Sequence, residues 1–460
     1  MNVPRVRGVC PGLSTPMQTG DGLLVRLMPA APIPLDAMLG FCEAAGRHGN
    51  GAIEVSARGS LQVRGLTADS APLFASAVAE LGIAALEGVP VIAGFDLMGA
   101  DLLPSRTREE GVDTAQVAAE LRSAIANAGL ALSPKVSVVV DGAGPLHLDA
   151  LTADVRLRAA EPDPGSRFGV PRFHLGLGGD GASASWLGTV AAADVVAAVI
   201  GVLRTIAARG ATARAAEILR TEGGEAFRSA VAIIEPAAPP PQRMPAEMIG
   251  LHSALDGTAA VGIGLAFGQT QAAALGEIIC FAAAHGATAV RPAPDRALLL
   301  IGVSAPDALN LSAAAERLGF VVRADDPRRR IVACPGAPAC AAGLIPAREL
   351  ASGLASALAF IGTNSRRDLG LGTPSPQGGE EKRVALLSCR PRGVAIHISG
   401  CPKGCAHPMP TALTVVGTPR GCGIVRHGSA RVTPSHYLDP ANLSREILRL
   451  AAKSKGAAHG

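Results

Sequence analysis

Four of the chain's nine cysteines lie in two short stretches rich in Gly, Pro and Ala, "IVACPGAPACAAG" and "IHISGCPKGCAHP". Cys334 and Cys340 enclose five residues, Cys401 and Cys405 three. Thiols set in turns, rather than in an apolar helix or strand, are offered to something other than a core. Pro and Gly let the backbone curl around a centre and free its N–H groups. An iron–sulfur cluster takes thiolate ligands, and N–H groups aimed at the sulfurs tune its potential. Structural zinc is the competing reading, although its knuckles prefer two to four intervening residues in both pairs. The wider first pair tilts the spacing toward a cluster and leaves zinc open. Cys10, Cys42, Cys280 and Cys422 read as small buried residues or singletons. Cys389 sits in a polar stretch without an evident partner.

The rest of the chain decides which partners suit such thiols. A length of 460 residues predicts roughly three domains, or two large ones. Apolar residues make up 48% and aromatics only 3%, so Ala, Val and Leu must fill the core. Charged residues are 17%, below the usual quarter, which argues against long disordered segments. A net charge of +4 with no Lys/Arg-rich run excludes a generic nucleic-acid binder. "MNVPRVRGVCPGLSTPMQ" lacks the apolar stretch of a signal peptide, and "GTVAAADVVAAVIGVLRTIAARG" reads as a buried amphipathic helix rather than a membrane span. A soluble, cytoplasmic protein is expected, and in that compartment paired cysteines are more often metal ligands than disulfides.

Two segments look like copies of one another. "LDAMLGFCEAAGRHGNGAIEVSARGSLQVRGL" (35–66) aligns with "AAALGEIICFAAAHGATAVRPAPDRALLLIGV" (272–303) at a constant offset. His48 falls on His285, Gly49 on Gly286, Ile53 on Val290, Leu61 on Leu298 and Gly65 on Gly302. Each copy reads as helix, Gly turn, strand, tight turn and strand. Such a duplication sets two halves across a shared cleft. In the first copy Ile53, Val55, Ala57, Leu61 and Val63 face one side, and Glu54, Ser56, Arg58, Ser60, Gln62 and Arg64 the other. That second face is either solvated or a polar binding surface. The later copy loses the alternation, so the first is expected to serve a ligand and the second to support it.

The clustered prolines of "AAPPPQRMP" (237–245) predict a stiff extended linker near the middle. The chain then divides into a first half-domain (1–85), a first α/β lobe (86–236), a second half-domain (246–322) and a second α/β lobe (323–455). The last carries the cysteines and is interrupted by a polar, Gly/Pro-rich insertion at 362–393. "LSPKVSVVVDGAG" predicts a strand ending in a turn. Gly176, Gly178 and Gly181 have GxGxxG spacing but lack the strand–loop–helix context and the later acidic residue of a dinucleotide fold. A Gly-rich turn near a ligand is expected there instead.

C-x5-C followed by C-x3-C, after a duplicated ferredoxin-like half-domain, resembles the sulfite/nitrite reductase family over nearly the whole chain except 362–393. The resemblance implies an α/β (α+β) fold with pseudo-two-fold symmetry: two ferredoxin-like half-domains plus two α/β lobes. It implies that Cys334, Cys340, Cys401 and Cys405 bind a four-iron–four-sulfur (4Fe-4S) cluster, with Cys405 nearest the tetrapyrrole. It makes Arg58, in "SARGSLQVRG", an anion or tetrapyrrole contact and Lys135, in "LSPKVSVVVDG", the retained active-site lysine. These two are the catalytic candidates.

Departures from the reductase pattern narrow the resemblance. Ser137 stands where the reductases carry a second lysine, and Lys403 and His407 replace an Asn and an Arg in the cluster loop. Losing a lysine and an arginine weakens a positive cage for sulfite or nitrite. With the opening "RGVCPGLSTPMQTGDGLLVRL", these departures are most similar to the branch of precorrin-3B synthases. That branch implies a monooxygenase that hydroxylates precorrin-3A at C20 and closes a γ-lactone. It uses molecular oxygen, a 4Fe-4S cluster and a mononuclear non-haem iron. The tetrapyrrole is then substrate rather than resident cofactor.

A precorrin bears many carboxylates, and arginine forks pair with them bidentately. Arg58, Gln62, Arg64, Lys135, Lys403 and His407 are therefore the expected substrate contacts, and His397, on the strand "VAIHISG", is expected to be structural. No flavin or nicotinamide fold is evident, so NADH-derived electrons are expected to arrive through a separate donor protein; neither nucleic acid nor membrane is an expected partner. Within the fold the alternative is a sirohaem-dependent sulfite or nitrite reductase. Outside it stands a zinc-stabilised, non-catalytic binding protein.

Overall fold

The computed structural model describes residues 11–83, 88–94, 113–142, 144–160, 170–231, 233–253, 258–368 and 394–456. Cys10, Cys389 and most of the segment 362–393 lie outside the described residues. The duplicated segments form helix, strand and strand as their spacing predicts, and then exchange an edge. One sheet runs, neighbour to neighbour, Met17–Thr19, Gly22–Leu27, Leu61–Leu66, Ala52–Val55, Gln269–Gln271. The other runs Gly250–Ser253, Thr258–Gly264, Ala297–Ser304, Ala289–Ala293, Ile33–Pro34. The last strand of each comes from the other copy: Thr270 pairs with Ile53, and Ile33 with Val290.

This exchange covers one open edge of each sheet and makes the pseudo-two-fold a covalent fact. Leu35, Met38, Phe41, Cys42 and Ala45 recur at helical spacing and are buried on Leu35–His48. That helix packs on its counterpart, Ala272–Ala284, and Phe41, Phe74, Leu275 and Leu298 lie fully buried in one shared core. Gly65 and Gly302 mark the same place in both copies, with φ of 74° and 88°. A Cβ would fall 2.5 Å from Asn50 at the first and 2.9 Å from Thr288 at the second, so only glycine fits.

The lobes repeat each other too, as the pseudo-two-fold of the family resemblance implies, although no residue spacing in the sequence records it. The first orders its strands Val91–Ala93, Val138–Asp141, Ala153–Ala159, Arg172–Gly179, Ser185–Ala191; the second Ile331–Ala333, Ile396–Ser399, Thr411–Thr418, Gly421–Gly428, His436–Leu438. In each, three parallel strands come first and two antiparallel ones follow. A helix joins the first strand to the second, Thr114–Asn127 in one lobe and Ala347–Asp368 in the other. The latter runs past position 362, where the insertion was expected to start.

Two further expectations need correction. Gly176 and Gly178 lie inside the strand Arg172–Gly179, not in a ligand-side turn. A Cβ at Gly176 would meet the Trp186 ring at 2.8 Å, and one at Gly178 would meet Leu219 at 2.8 Å, so these glycines serve packing. The proline-rich stretch is extended but held to the first lobe: Arg158 donates to the Pro241 carbonyl, His147 Nε2 bonds the Met244 carbonyl, and Arg243 pairs with Asp141 and Asp149. Among the described residues no helix is long and apolar enough to cross a membrane.

Candidate functional site

Ile331–Ala333 and Ile396–Ser399 lie side by side and parallel, with Ala333 opposite Ile398. Each ends in a cysteine loop, so both loops leave the sheet at the carboxyl ends of its strands, where open α/β sheets take ligands. Backbone bonds sew the loops together. Cys334 N–H donates to the Ile398 carbonyl at 3.2 Å, and Leu344 N–H to the Gly400 carbonyl at 2.7 Å. Gly400 N–H donates to Cys334 Sγ at 3.0 Å. Gly400 admits no side chain: a Cβ would stand 2.8 Å from Gly336 Cα and 3.4 Å from Cys334 Sγ.

The thiols sense one another. Burial pushes Cys334 up, N–H groups of Gly400 and Gly336 pull it down, and Cys340 and Cys401 push it up again by like charge. Cys334, Cys340 and Cys401 are half-buried, Cys405 is exposed, and none is in a disulfide. Around zinc, thiolates at about 2.3 Å would bring their sulfurs to about 3.8 Å from one another. Among the described residues no three of these cysteine sulfurs lie within 4.8 Å of each other.

The first half-domain docks on the loop of Cys340. Gly20 N–H donates to the Ala339 carbonyl at 3.1 Å. Arg64 also donates to that carbonyl and holds Asp21 bidentately, at 3.0 and 2.8 Å. Burial alone would raise the Asp21 pKa, but hydrogen bonds from Arg64 and Thr19 and the Arg64 charge bring it below the usual value. Glu54 accepts from Arg348 at 2.7 Å, and the Gln62 amide, oriented by its neighbours, donates to Glu54 and accepts from Arg26. Glu54, Gln62 and Arg64 are 6%, 7% and 3% exposed. The polar strand face is thus neither solvated nor open; it is the seam between this half-domain and the cysteine lobe. Gln62 and Arg64, expected to touch substrate, have their polar atoms engaged by protein partners in this structure.

The other expected contacts fall into two groups. Arg58, on the first copy's hairpin tip, donates to the Thr152 carbonyl at 2.8 Å and Ser137 Oγ at 3.1 Å. Lys135 is exposed in the turn that leads to Val138–Asp141, so Arg58 and the lysine segment do meet. Lys403 is exposed and His407 half-buried on the loop of Cys401 and Cys405.

His397 is fully buried, and among the described residues neither of its ring nitrogens has a hydrogen-bond partner. A satisfied core histidine would have one. Its ring meets His407 edge-on, centroids 5.9 Å apart. Burial pushes its pKa down to about 4, with His407 and Arg296 acting in the same direction; burial and Arg296 lower His407 as well. Arg296 was missed in the sequence. The signal was there: at the duplication's offset, Asp295 and Arg296 fall on Arg58 and Gly59.

Asp141, His147 and Asp149 place ligand-type atoms within 4.8 Å of one another. Arg243 pairs with both carboxylates, and Arg156 and Arg158 stand 3.7 and 3.9 Å from Asp149. Three guanidiniums around two carboxylates leave no negative charge for a cation. The set clamps the proline stretch and does not fit the mononuclear iron implied by the family resemblance.

Paired ferredoxin-like half-domains, paired five-stranded lobes and cysteine loops at one lobe's strand ends define the sulfite/nitrite reductase fold. NirA of Mycobacterium tuberculosis matches it with a TM-score of 0.65 at 16% identity, over 94% of this chain and 80% of that one. No family model matches the chain. It is, however, 36% identical over 451 residues to precorrin-3B synthase of a Sinorhizobium species, covering 96% of this chain and 88% of that protein. The chain belongs to the precorrin-3B synthase family.

Proposed function

We propose that this protein is a cytoplasmic monooxygenase that hydroxylates precorrin-3A at C20 and closes the γ-lactone of precorrin-3B. One atom of molecular oxygen enters the product; the other leaves as water with two electrons and two protons. Those electrons derive from NADH through a separate donor protein. The observation that carries the reading is the convergence of two cysteine loops at neighbouring strand ends, sewn by the Gly400 N–H on Cys334 Sγ at 3.0 Å. Cys334, Cys340, Cys401 and Cys405 would hold a 4Fe-4S cluster, which supplies electrons one at a time when bound.

The chain's own residues bind and orient. Lys135 and Lys403 are exposed amines available to substrate carboxylates. Arg58 fixes the segment of Lys135 through Ser137 and acts as a positioning residue. His407 lies two residues beyond the exposed Cys405, and burial, then the Arg296 charge, lower its pKa, which favours the neutral ring that donates at one nitrogen and accepts at the other. The Asp141, His147 and Asp149 set, already neutralised by arginines, does not fit a mononuclear iron.

The test is anaerobic purification, then incubation with precorrin-3A, a reductant and labelled oxygen gas. Stoichiometric iron and labile sulfide are expected, with one labelled atom in the product. Strong haem bands in the purified protein would turn the reading to a sirohaem reductase; zinc without iron would turn it to a binding protein.

A further inference from the structure

We propose that Arg296 receives a carboxylate of the tetrapyrrole beside the cysteine lobe. This deepens the proposed function and rests on it. The two hairpin tips meet at the pseudo-two-fold: Asp295 N–H donates to the Ala57 carbonyl at 3.2 Å, and a Cβ on Gly59 would stand 3.0 Å from Ala293. From that junction Arg58 turns to the first lobe and is engaged there by Thr152 and Ser137. Arg296 turns to the second lobe, where it lines one cavity with Phe267, Ile331 and Val332.

The Arg296 backbone carbonyl accepts from Leu265 N–H at 2.9 Å, but, unlike that of Arg58, its guanidinium has no hydrogen bond or ion pair among the described residues. Acidic residues around it are taken by other arginines: Asp295 by Arg329 at 2.8 Å, and, in the cavity it lines, Asp325 by Arg323 and Asp326 by Arg328. The stem is nonetheless fixed, since a Cβ at Gly268 would lie 2.9 Å from Arg296 Cδ. The backbone is left-handed at Asp295 and Arg296, with φ of 60° and 61°. A long side chain accepts that conformation only when its surroundings impose it. A half-buried guanidinium held in place without a counter-charge is a costly arrangement that an anion would relieve.

The surroundings select an anion over a cation. Arg348 adds positive charge to the same region, and its own carboxylate partner, Glu54, is already bound to it at 2.7 Å. His397 brings two ring nitrogens, unpartnered among the described residues, from a fully buried position. A guanidinium fork matches the two oxygens of a carboxylate. The exposed Cys405 and Lys403 share the loop of His407, which puts this receptor beside the proposed reaction centre.

The experiment titrates precorrin-3A into anaerobic, cluster-loaded protein and reads the absorbance change. Arg296→Asn removes the charge but keeps a residue that tolerates left-handed backbone; Arg296→Lys keeps the charge and loses the fork. Loss of a charged hydrogen-bond pair predicts roughly 10- to 100-fold weaker binding for the Asn variant. The Lys variant should fall between, with iron and sulfide content unchanged in both. Equal affinity in wild type and R296N refutes the receptor while leaving the proposed function standing. A wild type that does not bind precorrin-3A refutes the proposed function itself. A parallel titration with sulfite separates the anion sources: sulfite binding lost in R296N with precorrin-3A binding intact would overturn the carboxylate assignment.

Discussion

Replacing Gly400 by Ala puts one methyl group into the join between the cysteine loops. Its Cβ would stand 2.8 Å from Gly336 Cα and 3.4 Å from both Cys334 Sγ and Gly343 Cα. Gly400 cannot step aside. Its N–H is held by Cys334 Sγ, its carbonyl accepts from Leu344 at 2.7 Å, and Gly417 closes the other side, where a Cβ would lie 2.2 Å from the Gly400 oxygen. Relief must therefore part the two loops. Overpacking costs about 1–3 kcal/mol, and loss of the N–H to sulfur bond adds about 1 kcal/mol. The sum, roughly 2–4 kcal/mol, shifts the joined-to-parted equilibrium about 30-fold to several hundred-fold. Iron and labile sulfide per chain should fall, while far-ultraviolet circular dichroism stays as in wild type because no helix or strand core is touched. Gly46→Ala is the control. It lies in Leu35–His48 with nothing within 4 Å of a new Cβ, and it should gain about 0.5–1 kcal/mol with no change in iron. Wild-type iron and sulfide in the Gly400→Ala protein would refute the claim that one centre spans both loops.

Three other expectations concern groups away from that join. Burial pushes the Cys42 thiol to about 12 and the Cys422 thiol to about 11; at pH 8 both should resist iodoacetamide in folded, iron-depleted protein while the exposed Cys405 reacts. Peptide mass spectrometry showing Cys42 alkylated as fast as Cys405 would contradict the packing. Asp21 has a folded pKa below its unfolded one, so its stabilisation is complete above about pH 4 and is lost as pH falls through the lower, folded value. Asp21→Asn should therefore flatten the acid limb of the stability curve, and a gap between wild-type and variant denaturant midpoints that stays constant as pH falls from neutral to well below 4 would count against it. Arg243→Gln leaves Asp141, 1% exposed, without its counter-charge, and should lower stability by about 3–5 kcal/mol in urea unfolding; an unchanged midpoint would show that the clamp is dispensable.

The half-domain repeat could be read from sequence because its glycines sit where backbone geometry demands them, Gly65 and Gly302 above all. The strand exchange could not. Its exchanged strands, Ile33–Pro34 and Gln269–Gln271, are too short to carry a pattern, and nothing local says which copy they join. The alternation of Glu54, Gln62 and Arg64 was read correctly as a polar face. What covers it was not, since Asp21 and Arg348 come from remote parts of the chain. The lobe repeat is one of strand order, which no residue-by-residue spacing records. Arg296 escaped notice because a lone arginine in "PAPDRAL" means nothing until the fold turns it away from Asp295.

A duplicated scaffold supplies two equivalent tips and two equivalent lobes, so chemistry must arise where the equivalence is broken. In the first half the tip arginine is tied to Thr152 and Ser137. The carboxylates near the end of Val138–Asp141 are neutralised by Arg243, with Arg156 and Arg158 close by. That charge set is closed: it can be buried without a ligand and has nothing left to offer one. Among the described residues of the second half the thiols lie unbridged, the His397 ring nitrogens have no hydrogen-bond partner, and Asp295 pairs with Arg329 rather than with Arg296. An open set of that kind is stable only when something fills it. Substitutions around Arg243 should therefore register in unfolding curves. Those around Gly400 and Arg296 should register in what the protein carries.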